Sequence, residues 1–254
     1  MPLLEIEQVS KRFGGVQALS GVTLEVEAGR LTGLIGPNGA GKTTLFNVIS
    51  GIFPPDAGRI RFKGQDITGQ TSHETCHRGI ARTFQIVQPF ARLSVVENVA
   101  VALLFGRKGH GLSRRAAERQ AERLLGYGKL AEKARRAAGT LTLSERKRLE
   151  MVRALATGPE LLLLDEVLAG LTPQETEEMG EIIRKIQREL GLAILLIEHN
   201  MRAVMSLSER LVVLNYGVVI AHGPPEAVAH DPAVIKAYLG ESRQRSYSME
   251  ASPQ

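Results

Sequence analysis

The sequence predicts an α/β fold in which an antiparallel β layer precedes a sheet of buried strands and a helical segment interrupts that sheet. Three observations support this prediction. Two early segments alternate apolar and polar residues, three short runs are almost wholly apolar, and a middle stretch is rich in Ala, Arg, Glu and Leu. The alternating segments are LEIEQV (4–9) and VTLEVE (22–27). The apolar runs are LTGLIG (31–36), ELLLLDE (160–166) and LAILLIEH (192–199), and the middle stretch covers residues 88–157.

The first part of the chain predicts strands joined by glycine turns. Glycines in FGG and EAGR separate the two alternating strands from the apolar run at 31–36. That run ends in a glycine-rich loop, and TTLFNVISG (43–51) then predicts a helix that Gly51 ends. After the PPDAG loop, GRIRFKGQDI (58–67) predicts another strand and a turn. The local order is therefore strand, glycine-rich loop, helix.

A helical subdomain is inserted into this core. The composition changes at about residue 88 and changes back at about 157, and SRRAAERQAERLL (113–125) has the composition of a helix. We expect a single domain over residues 1–240, with an α/β core and β subdomain at 1–87 and 158–240 and the helical subdomain at 88–157. The polar end, residues 241–254, is expected to be a disordered tail.

The last third of the chain predicts a long helix and a hairpin. Thr172 is the expected N-cap of the helix, Pro173 its first residue, and Glu175 the partner in a capping box. Gly191 should end it. RLVVLNYGVVIAHG (210–223) predicts a hairpin that turns at Tyr216-Gly217. The stripe expected to be buried on the helix is Met179, Ile182, Ile183, Ile186 and Leu190.

Length and composition indicate a globular chain with a hydrophobic core. The chain has 254 residues, of which 43% are hydrophobic, enough for one large domain or two lobes. It contains no run of about eighteen apolar residues, and its start carries Glu5 where a signal peptide is apolar. We therefore expect a cytoplasmic protein that does not span a membrane. The single Cys76 excludes an internal disulfide and a cysteine-cluster metal site, and the six His show no ligand spacing.

The net charge of +5 is concentrated in the middle of the chain. Residues 107–153 contain 14 Lys and Arg against 5 Glu, and the rest of the chain contains 18 basic against 22 acidic residues. Such a segment suits an anionic partner such as lipid headgroups or nucleic acid. It also describes helices with a solvated basic face, and the charge pattern by itself leaves both interpretations open.

The glycine-rich segment after the strand at 31–36 matches a phosphate-binding loop. It satisfies G-x-x-x-x-G-K-[ST] between a predicted strand and a predicted helix, the context that the motif requires. Glycines let backbone N–H groups converge on phosphate oxygens, and the helix N-terminus adds the positive end of its dipole. Lys42 is expected to neutralise the β- and γ-phosphates, and Thr43 to hold Mg²⁺. The predicted nucleotide-binding residues are Gly36, Pro37, Asn38, Gly39, Ala40, Gly41, Lys42, Thr43 and Thr44.

Two carboxylates end the apolar strand at 160–166. In a parallel α/β sheet, residues at the carboxyl ends of strands line the ligand crevice, so Asp165 can reach Mg²⁺ directly or through water. Glu166 is then placed to orient and polarise the attacking water. Two carboxylates after a strand are by themselves more often a helix cap or a surface turn, and the phosphate loop is what favours the catalytic interpretation.

Further motifs around this pair resemble the ATP-binding subunits of ABC transporters, over about residues 3–240. Phe13 in KRFGG stands where that family stacks an aromatic ring on adenine. Gln85 in RTFQ matches its Q-loop glutamine, and His199 after LLIE matches its switch histidine. Each residue alone is a weak signal, and their order makes the resemblance specific. It implies a P-loop NTPase (RecA-like) core with an antiparallel β subdomain and an inserted α-helical subdomain.

The resemblance implies an ATPase that drives a membrane permease. In that family, two subunits sandwich two ATP molecules between the phosphate loop of one chain and the signature motif of the other, and hydrolysis lets the pair reopen. Gln85 would contact Mg²⁺ or the attacking water, and His199 the γ-phosphate, so that the implied catalytic residues are Glu166, His199 and Gln85. AGLT (169–172) occupies the place of the dimer-contact loop, with Thr172 where an aspartate is common.

The signature motif is degenerate in this chain. The family's usual Leu-Ser-Gly-Gly-Gln becomes LTLSE (141–145), in which Thr142 keeps a hydroxyl and Glu145 completes a capping box. Thr142, Ser144 and Glu145 are therefore predicted to face a nucleotide at a helix N-terminus. Leu143 adds bulk there, and Glu145 adds a negative charge that the following Arg146, Lys147 and Arg148 should partly offset. The alternative is a plain cap on a basic helix.

Further segments resemble the larger ATPase of branched-chain amino acid importers. They are RTFQIVQPFARLSVVENV (82–99), ERKRLE (145–150), LDEVLAGLTPQETEEM (164–179) and LNYGVVIAHGPPEAVAHDPAVIKAYLG (214–240). The resemblance implies a second, different ATPase chain, or a homodimer in isolation, together with permease chains and a periplasmic or extracellular binding protein. The chain would then lie at the inner face of the cell membrane, with its basic segment near the permease and without nucleic acid. Val167 replaces a common proline and should alter loop stiffness.

Other functions have to be weighed against this interpretation. A DNA-repair or chromosome ATPase of related fold would need a long coiled-coil insertion, which a helical subdomain of 88–157 cannot supply. A guanine-nucleotide switch would need an Asn-Lys-x-Asp motif, which the sequence lacks. A scaffold without hydrolysis would be expected to lack Glu166 or His199. Related ABC systems for urea or amide import or for lipid export, or an ABC ATPase outside transport, remain the alternatives.

Overall fold

The computed structural model describes residues 2–84, 88–107, 109 and 111–238. Two expectations lie outside these residues, namely the site residue Gln85 and the tail at 241–254. The described residues form two β-sheets and a set of helices, which pack around four groups of buried apolar side chains.

Strands and helices alternate along most of the chain. In chain order, the strands are β1 Pro2–Phe13, β2 Val16–Glu27, β3 Leu31–Ile35, β4 Ala57–Phe62, β5 Gln65–Asp66, β6 Ile80–Arg82, β7 Leu161–Asp165, β8 Ala193–Ile197, β9 Arg210–Asn215 and β10 Val218–Gly223. The helices are α1 Lys42–Ile49, α2 Ser72–Arg78, α3 Val95–Phe105, α4 Arg114–Leu125, α5 Leu143–Ala156, α6 Pro173–Leu190, α7 Met201–Leu207 and α8 Pro225–Ala229. None of the helices in the described part of the chain combines the length and the apolar character that crossing a bilayer requires.

A four-stranded antiparallel sheet in the order β2-β1-β4-β5 forms the opening layer. Leu4 pairs with Val26, and Ile6 pairs with Ile60. Because side chains alternate between the two faces of a strand, these buried residues share one face. They join the apolar core that also receives side chains from the second sheet. The prediction of two half-buried antiparallel strands at the start of the chain is confirmed.

A six-stranded sheet in the order β10-β9-β3-β8-β7-β6 forms the centre of the protein. β9, β3, β8, β7 and β6 run parallel, and β10 pairs with β9 as the predicted hairpin. β3, β7 and β8 are buried along their whole length, as their apolar runs predict. Their carboxyl ends lie side by side, so the loops that follow them meet at one edge of the sheet. The edge strand β6 was not predicted.

Helices α3, α4 and α5 share an apolar core of their own. Ala117, Ala121 and Leu125 form the buried face of α4, which confirms the helix predicted at 113–125. Alanine has little bulk, and α4 can therefore lie close to its neighbours α3 and α5. Helix α5 also buries Met151, Ala154 and Leu155 in the core of the central sheet, so it connects the two cores.

Helix α6 has the predicted ends and most of the predicted stripe. Thr172 and Pro173 begin it with a full capping box, and Gly191 ends it in the left-handed conformation. Leu190, however, is 41% exposed, so its predicted burial is wrong. The chain turns at Gly191, and the next residue, Leu192, packs with Ile186 in the buried group. Leu192, which follows the helix, thus takes the buried place next to Ile186 that Leu190 was expected to take.

Candidate active site

The glycine-rich loop joins β3 to α1 and closes around the side chain of Lys42. Gly36 and Gly41 have φ of 149° and 103°, and a Cβ at Gly36 would stand 1.9 Å from the carbonyl oxygen of Leu214. Only glycine therefore fits at position 36. Lys42 is buried, and its Nζ donates hydrogen bonds to the carbonyl oxygens of Gly36 at 2.7 Å and of Pro37 at 2.8 Å. The ammonium group lies inside the loop that is expected to hold phosphate.

Asp165 ends β7 and is held by a buried arginine. Nη2 of Arg82, the last residue of β6, donates to the Asp165 carboxylate at 2.7 Å, and both side chains are buried. Arg82 also donates through Nη1 to Asn47 of α1 at 2.5 Å. Burial raises the pKa of Asp165, and the arginine opposes that shift. Sequence reasoning missed Arg82, because one arginine on an unpredicted three-residue strand gives no spacing signal.

Glu166 and His199 meet where β7 and β8 end. Nε2 of His199 lies 2.8 Å from Oε1 of Glu166. The backbone N–H of Glu166 donates to the carbonyl oxygen of Ile197 at 2.9 Å. Glu166 has a φ of 50°, which is uncommon for a residue with a side chain and persists where surrounding contacts fix it. The pairing of β7 with β8 thus brings together two of the predicted site residues.

A cavity of about 490 Å³ is lined by residues of α1, β6, β7 and α5 and of the segment after β6. Thr43 and Asp165, the two residues expected to hold Mg²⁺, both line it. Hydroxyl and carboxylate oxygens are the ligand type that Mg²⁺ prefers, so these residues fit the ion. The other lining residues are Arg82, Phe84, Gln88, Glu150 and Arg153.

Phe13, the residue expected to stack on adenine, ends β1 with 41% of its surface exposed. Its ring meets that of Phe53 edge to face, with centroids 5.4 Å apart. The Asp56 carboxylate accepts hydrogen bonds from the backbone N–H of Arg12 and from Nζ of Lys11, both at 2.7 Å. These contacts fix the end of β1 and place Nζ of Lys11 over the Phe13 ring, 5.6 Å from its centroid. Its role in adenine binding stays a prediction.

The degenerate signature forms the N-terminus of α5. The Thr142 hydroxyl accepts from the Glu145 N–H at 3.3 Å, and the Glu145 carboxylate accepts from the Thr142 N–H at 3.1 Å. The predicted capping box is therefore confirmed. Ser144 is buried in the first turn, whereas Leu143 is 48% exposed. Of the residues predicted to face a nucleotide, Thr142 is thus exposed at the helix end and Ser144 is covered.

The Glu145 carboxylate forms an ion pair with a lysine of the same chain. Its carboxylate pairs with Lys133, which lies in the short 3-10 turn Ala131–Lys133 before α5. Burial raises the pKa of Glu145, but the bonds to Lys133 and to the Thr142 N–H outweigh burial, and the pKa lies below its usual value. The negative charge that the sequence placed near phosphate is therefore compensated locally.

The basic residues after Glu145 were expected to offset part of its charge, and this expectation is confirmed for Arg148. Arg146 donates through Nε to the carbonyl oxygen of Leu141 at 2.8 Å, and Lys147 donates through Nζ to the carbonyl oxygen of Glu166 at 2.9 Å. The charge of Arg148 lowers the Glu145 pKa, as a minor contribution beside Lys133. Residues adjacent in sequence point in different directions around a helix.

The segment after Glu166 leads through AGLT (169–172), the predicted dimer-contact loop, to α6. The backbone N–H of Leu168 donates to the Glu198 carboxylate at 2.5 Å. Glu198 is buried, and burial raises its pKa to about 7. Thr172 is the N-cap of α6, and its side chain accepts a hydrogen bond from the Glu175 N–H. Sequence reasoning missed Glu198, although its position next to His199 at the end of a buried strand could have indicated it.

Two family models match the chain. One, described as ABC transporter, matches residues 19–169, and the other, described as Branched-chain amino acid ATP-binding cassette transporter, matches residues 218–243. The first match includes the glycine-rich loop and the α5 N-terminus. The second includes β10 and the residues that follow it.

Several named proteins are similar over nearly their whole length. The High-affinity branched-chain amino acid transport ATP-binding protein BraF of Pseudomonas aeruginosa is 42% identical, over 95% of this chain and 99% of that protein. The protein LivG of Escherichia coli, described in the same words, is 40% identical over the same shares. The Probable branched-chain amino acid transport ATP-binding protein LivG of Methanocaldococcus jannaschii is 35% identical, over 95% of this chain and 98% of that protein.

Solved structures share the fold. A nucleotide-free ATP-binding cassette from an ABC transporter superposes with a TM-score of 0.82, and the ADP conformation of an ATP-binding cassette of an ABC transporter with 0.83. Each is 34% identical, and each comparison covers 94% of this chain and 99% of the other. The predicted fold class is confirmed.

Proposed function

Since the chain belongs to the ABC transporter family of ATP-binding subunits, we propose that it powers the import of branched-chain amino acids across a membrane. As a member of this family it binds ATP and is an ATPase, and its transport function involves membrane permease subunits. BraF and LivG are named for branched-chain amino acid transport, and the match at 218–243 carries the same description. These two findings support the proposed cargo.

The contact between Glu166 and His199 is the observation on which the catalytic part of the proposal rests. Glu166 polarises the water that attacks the γ-phosphate, and His199, 2.8 Å away, aims the carboxylate and contacts the γ-phosphate. Lys42 exchanges its two carbonyl partners for phosphate oxygens and neutralises their charge. Gln85, outside the described residues, is proposed to contact the attacking water and to link the helical subdomain to this site.

Thr43 and Asp165 are proposed to hold Mg²⁺. Both line one cavity and offer oxygen ligands. When bound, the ion neutralises charge on the β- and γ-phosphates. Asp165 has to share its carboxylate with Arg82 or release it, because Nη2 of Arg82 stands 2.7 Å from that carboxylate. Arg82 is therefore proposed to set the direction from which Asp165 meets the ion.

We further propose that the chain pairs with a different ATPase subunit. In such a pair, each ATP lies between the phosphate loop of one chain and the α5 N-terminus of the other. The exposed Leu143 adds bulk at this N-terminus, so the site that uses LTLSE is expected to turn over slowly or only to bind ATP. The other site would use the partner's signature. Comparable turnover after inactivation of either site in turn would contradict this asymmetry.

The proposed assembly places the chain peripherally, on permease subunits at the inner face of the cell membrane. Through the permease it would respond to a periplasmic or extracellular binding protein, which holds the cargo. The basic charge of residues 107–153 is proposed to lie near the membrane-facing permease, and no nucleic-acid partner is proposed.

Glu166→Gln tests the catalytic role. The variant keeps the size of the side chain and loses the carboxylate, and phosphate release should fall by about 10²-fold or more while nucleotide binding is retained. Glu181→Gln, the same change at an exposed position of α6, is the matched control and should match the wild type. ATP turnover in Glu166→Gln that equals the turnover of Glu181→Gln would refute the proposed role.

A further inference from the structure

Lys147 lies in the second turn of α5 and reaches across to the loop that follows β7. Its side chain is buried, and its Nζ donates a hydrogen bond to the carbonyl oxygen of Glu166 at 2.9 Å. Burial lowers the pKa of Lys147, while the nearby charges of Glu198 and Glu166 raise it. A buried ammonium group is unfavourable unless it is hydrogen-bonded. Here the bond goes to the backbone of the proposed catalytic residue.

The backbone of Glu166 needs such a contact. Its φ of 50° is a left-handed conformation that a glutamate adopts only when its surroundings impose it. The N–H group is fixed by Ile197, and the carbonyl oxygen accepts from Lys147 and, at 3.3 Å, from the N–H of Ala169. The orientation of this carbonyl group fixes ψ of Glu166. The backbone at Glu166 sets the direction of its Cα–Cβ bond, so Lys147, by holding this carbonyl group, helps to direct the Glu166 side chain toward His199.

Helix α5 touches the same loop a second time, at its first turn. A Cβ at Gly170 would stand 3.3 Å from Cδ2 of Leu143, so the leucine side chain lies against this glycine. Lys147 is five residues beyond the N-cap Thr142, about 7.5 Å along the helix axis at 1.5 Å per residue. The start of α5 and the loop at 166–170 are therefore joined at two points on a stretch of continuous helix.

We propose that Lys147 is a positioning residue that couples the N-terminus of α5 to the catalytic carboxylate of the same chain. The inference rests on the proposed function, in which this N-terminus meets the ATP held by the second subunit. Movement of the helix end on engaging that ATP carries Lys147 with it, and the hydrogen bond from Nζ resets the backbone of Glu166. Hydrolysis at one nucleotide thus depends on engagement of the other.

Lys147→Met tests the coupling, because methionine fills much of the same volume without charge or donor. Lys185→Met is the matched control, since Lys185 is exposed on α6 and stands 4.0 Å from the carboxylate of Glu189. Lys147→Arg keeps a charged donor at the site. In the complex of the full-length chain with its second ATPase subunit, three quantities are measured for each variant: kcat for ATP, the Kd of a fluorescent ATP analogue, and amide hydrogen exchange of residues 166–171.

We expect Lys147→Met to lower kcat by about tenfold or more, by analogy with the loss of a group that orients a metal ligand. The Kd should change by less than about twofold, because the phosphate loop is untouched. Hydrogen exchange in residues 166–171 should accelerate, Lys147→Arg should restore part of kcat, and Lys185→Met should behave as wild type. This split between kcat and Kd is not expected from a general loss of stability.

Three outcomes for Lys147→Met would overturn the inference. The first is a kcat within about threefold of wild type, the second is a Kd that rises by the same factor as kcat falls, and the third concerns hydrogen exchange. Hydrogen exchange does not depend on catalysis, so unchanged exchange at 166–171 would overturn it even if the proposed function failed. A Lys147→Met variant with normal turnover beside an inactive Glu166→Gln would instead leave the proposed function intact. Should Lys147→Met not fold, hydrogen exchange in Lys147→Arg is measured instead. The coupling requires exchange at residues 166–171 to stay near wild type in this variant, and faster exchange would overturn the inference.

Discussion

Replacing Glu198 with glutamine is expected to stabilise the protein at high pH far more than at low pH. Glu198 is 3% exposed, directly precedes His199, and accepts the Leu168 N–H at 2.5 Å. Glutamine has nearly the same shape and keeps an acceptor oxygen for that N–H, but it carries no charge. The substitution therefore removes the cost of a buried carboxylate while retaining the contact with the loop.

The magnitude follows from the pKa of this carboxyl group. Burial raises the pKa of Glu198 from 4.5 to about 7. Between these values the native chain holds a proton that the unfolded chain has released, so the free energy of unfolding falls as pH rises through this window. At about 1.4 kcal/mol per tenfold change in proton affinity, the ionised group costs the native state about 3 kcal/mol at high pH. Between about pH 5 and pH 8, about 2.5 kcal/mol of this cost appears.

Urea unfolding followed by circular dichroism, at several values between about pH 5 and pH 8, measures the effect. The buried amide group of glutamine adds a cost of its own, which does not vary with pH. The decisive quantity is therefore the change with pH in the stability difference between Glu198→Gln and wild type. From about pH 5 to pH 8, the free energy of unfolding of Glu198→Gln relative to wild type should increase by about 2.5 kcal/mol. The corresponding difference for Glu181→Gln, at an exposed position, should change very little with pH. A difference that stays constant with pH would refute the reasoning.

Three further predictions concern the rest of the site. Arg82→Met leaves Asp165 buried without its cation and should lower the free energy of unfolding by about 3–5 kcal/mol. The double variant Arg82→Met with Asp165→Asn should recover part of this loss. If urea unfolding gave the same loss for the single and the double variant, the pairing would be contradicted. Thr142→Ala and Thr172→Ala each remove a capping hydroxyl, at about 1 kcal/mol. Only Thr142→Ala should also weaken ATP-dependent association with the second subunit, measured by light scattering, and equal weakening by both would contradict its role. Glu166→Gln with Mg-ATP should remain a monomer by light scattering after size exclusion and dimerise only with a second ATPase subunit; a tight homodimer would mean that LTLSE works as a full signature.

The features that were predicted correctly from the sequence are those that depend on residues close together in the chain. The glycine-rich loop needs its glycines in fixed spacing, and the capping boxes at Thr142 and Thr172 need partners three residues away. The buried strands β3, β7 and β8 are apolar from end to end. Because strand pairing then aligns their carboxyl ends, the contact of Glu166 with His199 follows from local patterns and the topology of a parallel sheet.

The features that sequence reasoning missed depend on distant pairs. Lys133 compensates Glu145 from another turn, 12 residues earlier, and Arg82 reaches Asp165 from a strand too short to predict. Leu190 fits the periodicity of α6, yet Leu192 fills the core beyond the end of the helix. Periodicity specifies a helical face and does not specify where the neighbouring core stops.

A few residues in and around the connection between β7 and α6 have unfavourable features. Glu166 has a left-handed backbone, Glu198 has a pKa raised by burial, and Lys147 has one lowered by burial. Well-packed apolar residues in place of buried charges are often neutral or stabilising. Stability alone therefore does not account for these residues at this place. Strained backbone conformations of this kind cluster at active sites and switch regions, where the strain is part of the mechanism. That property suits a loop whose proposed task is to sense a nucleotide on one side and to aim a catalytic carboxylate on the other.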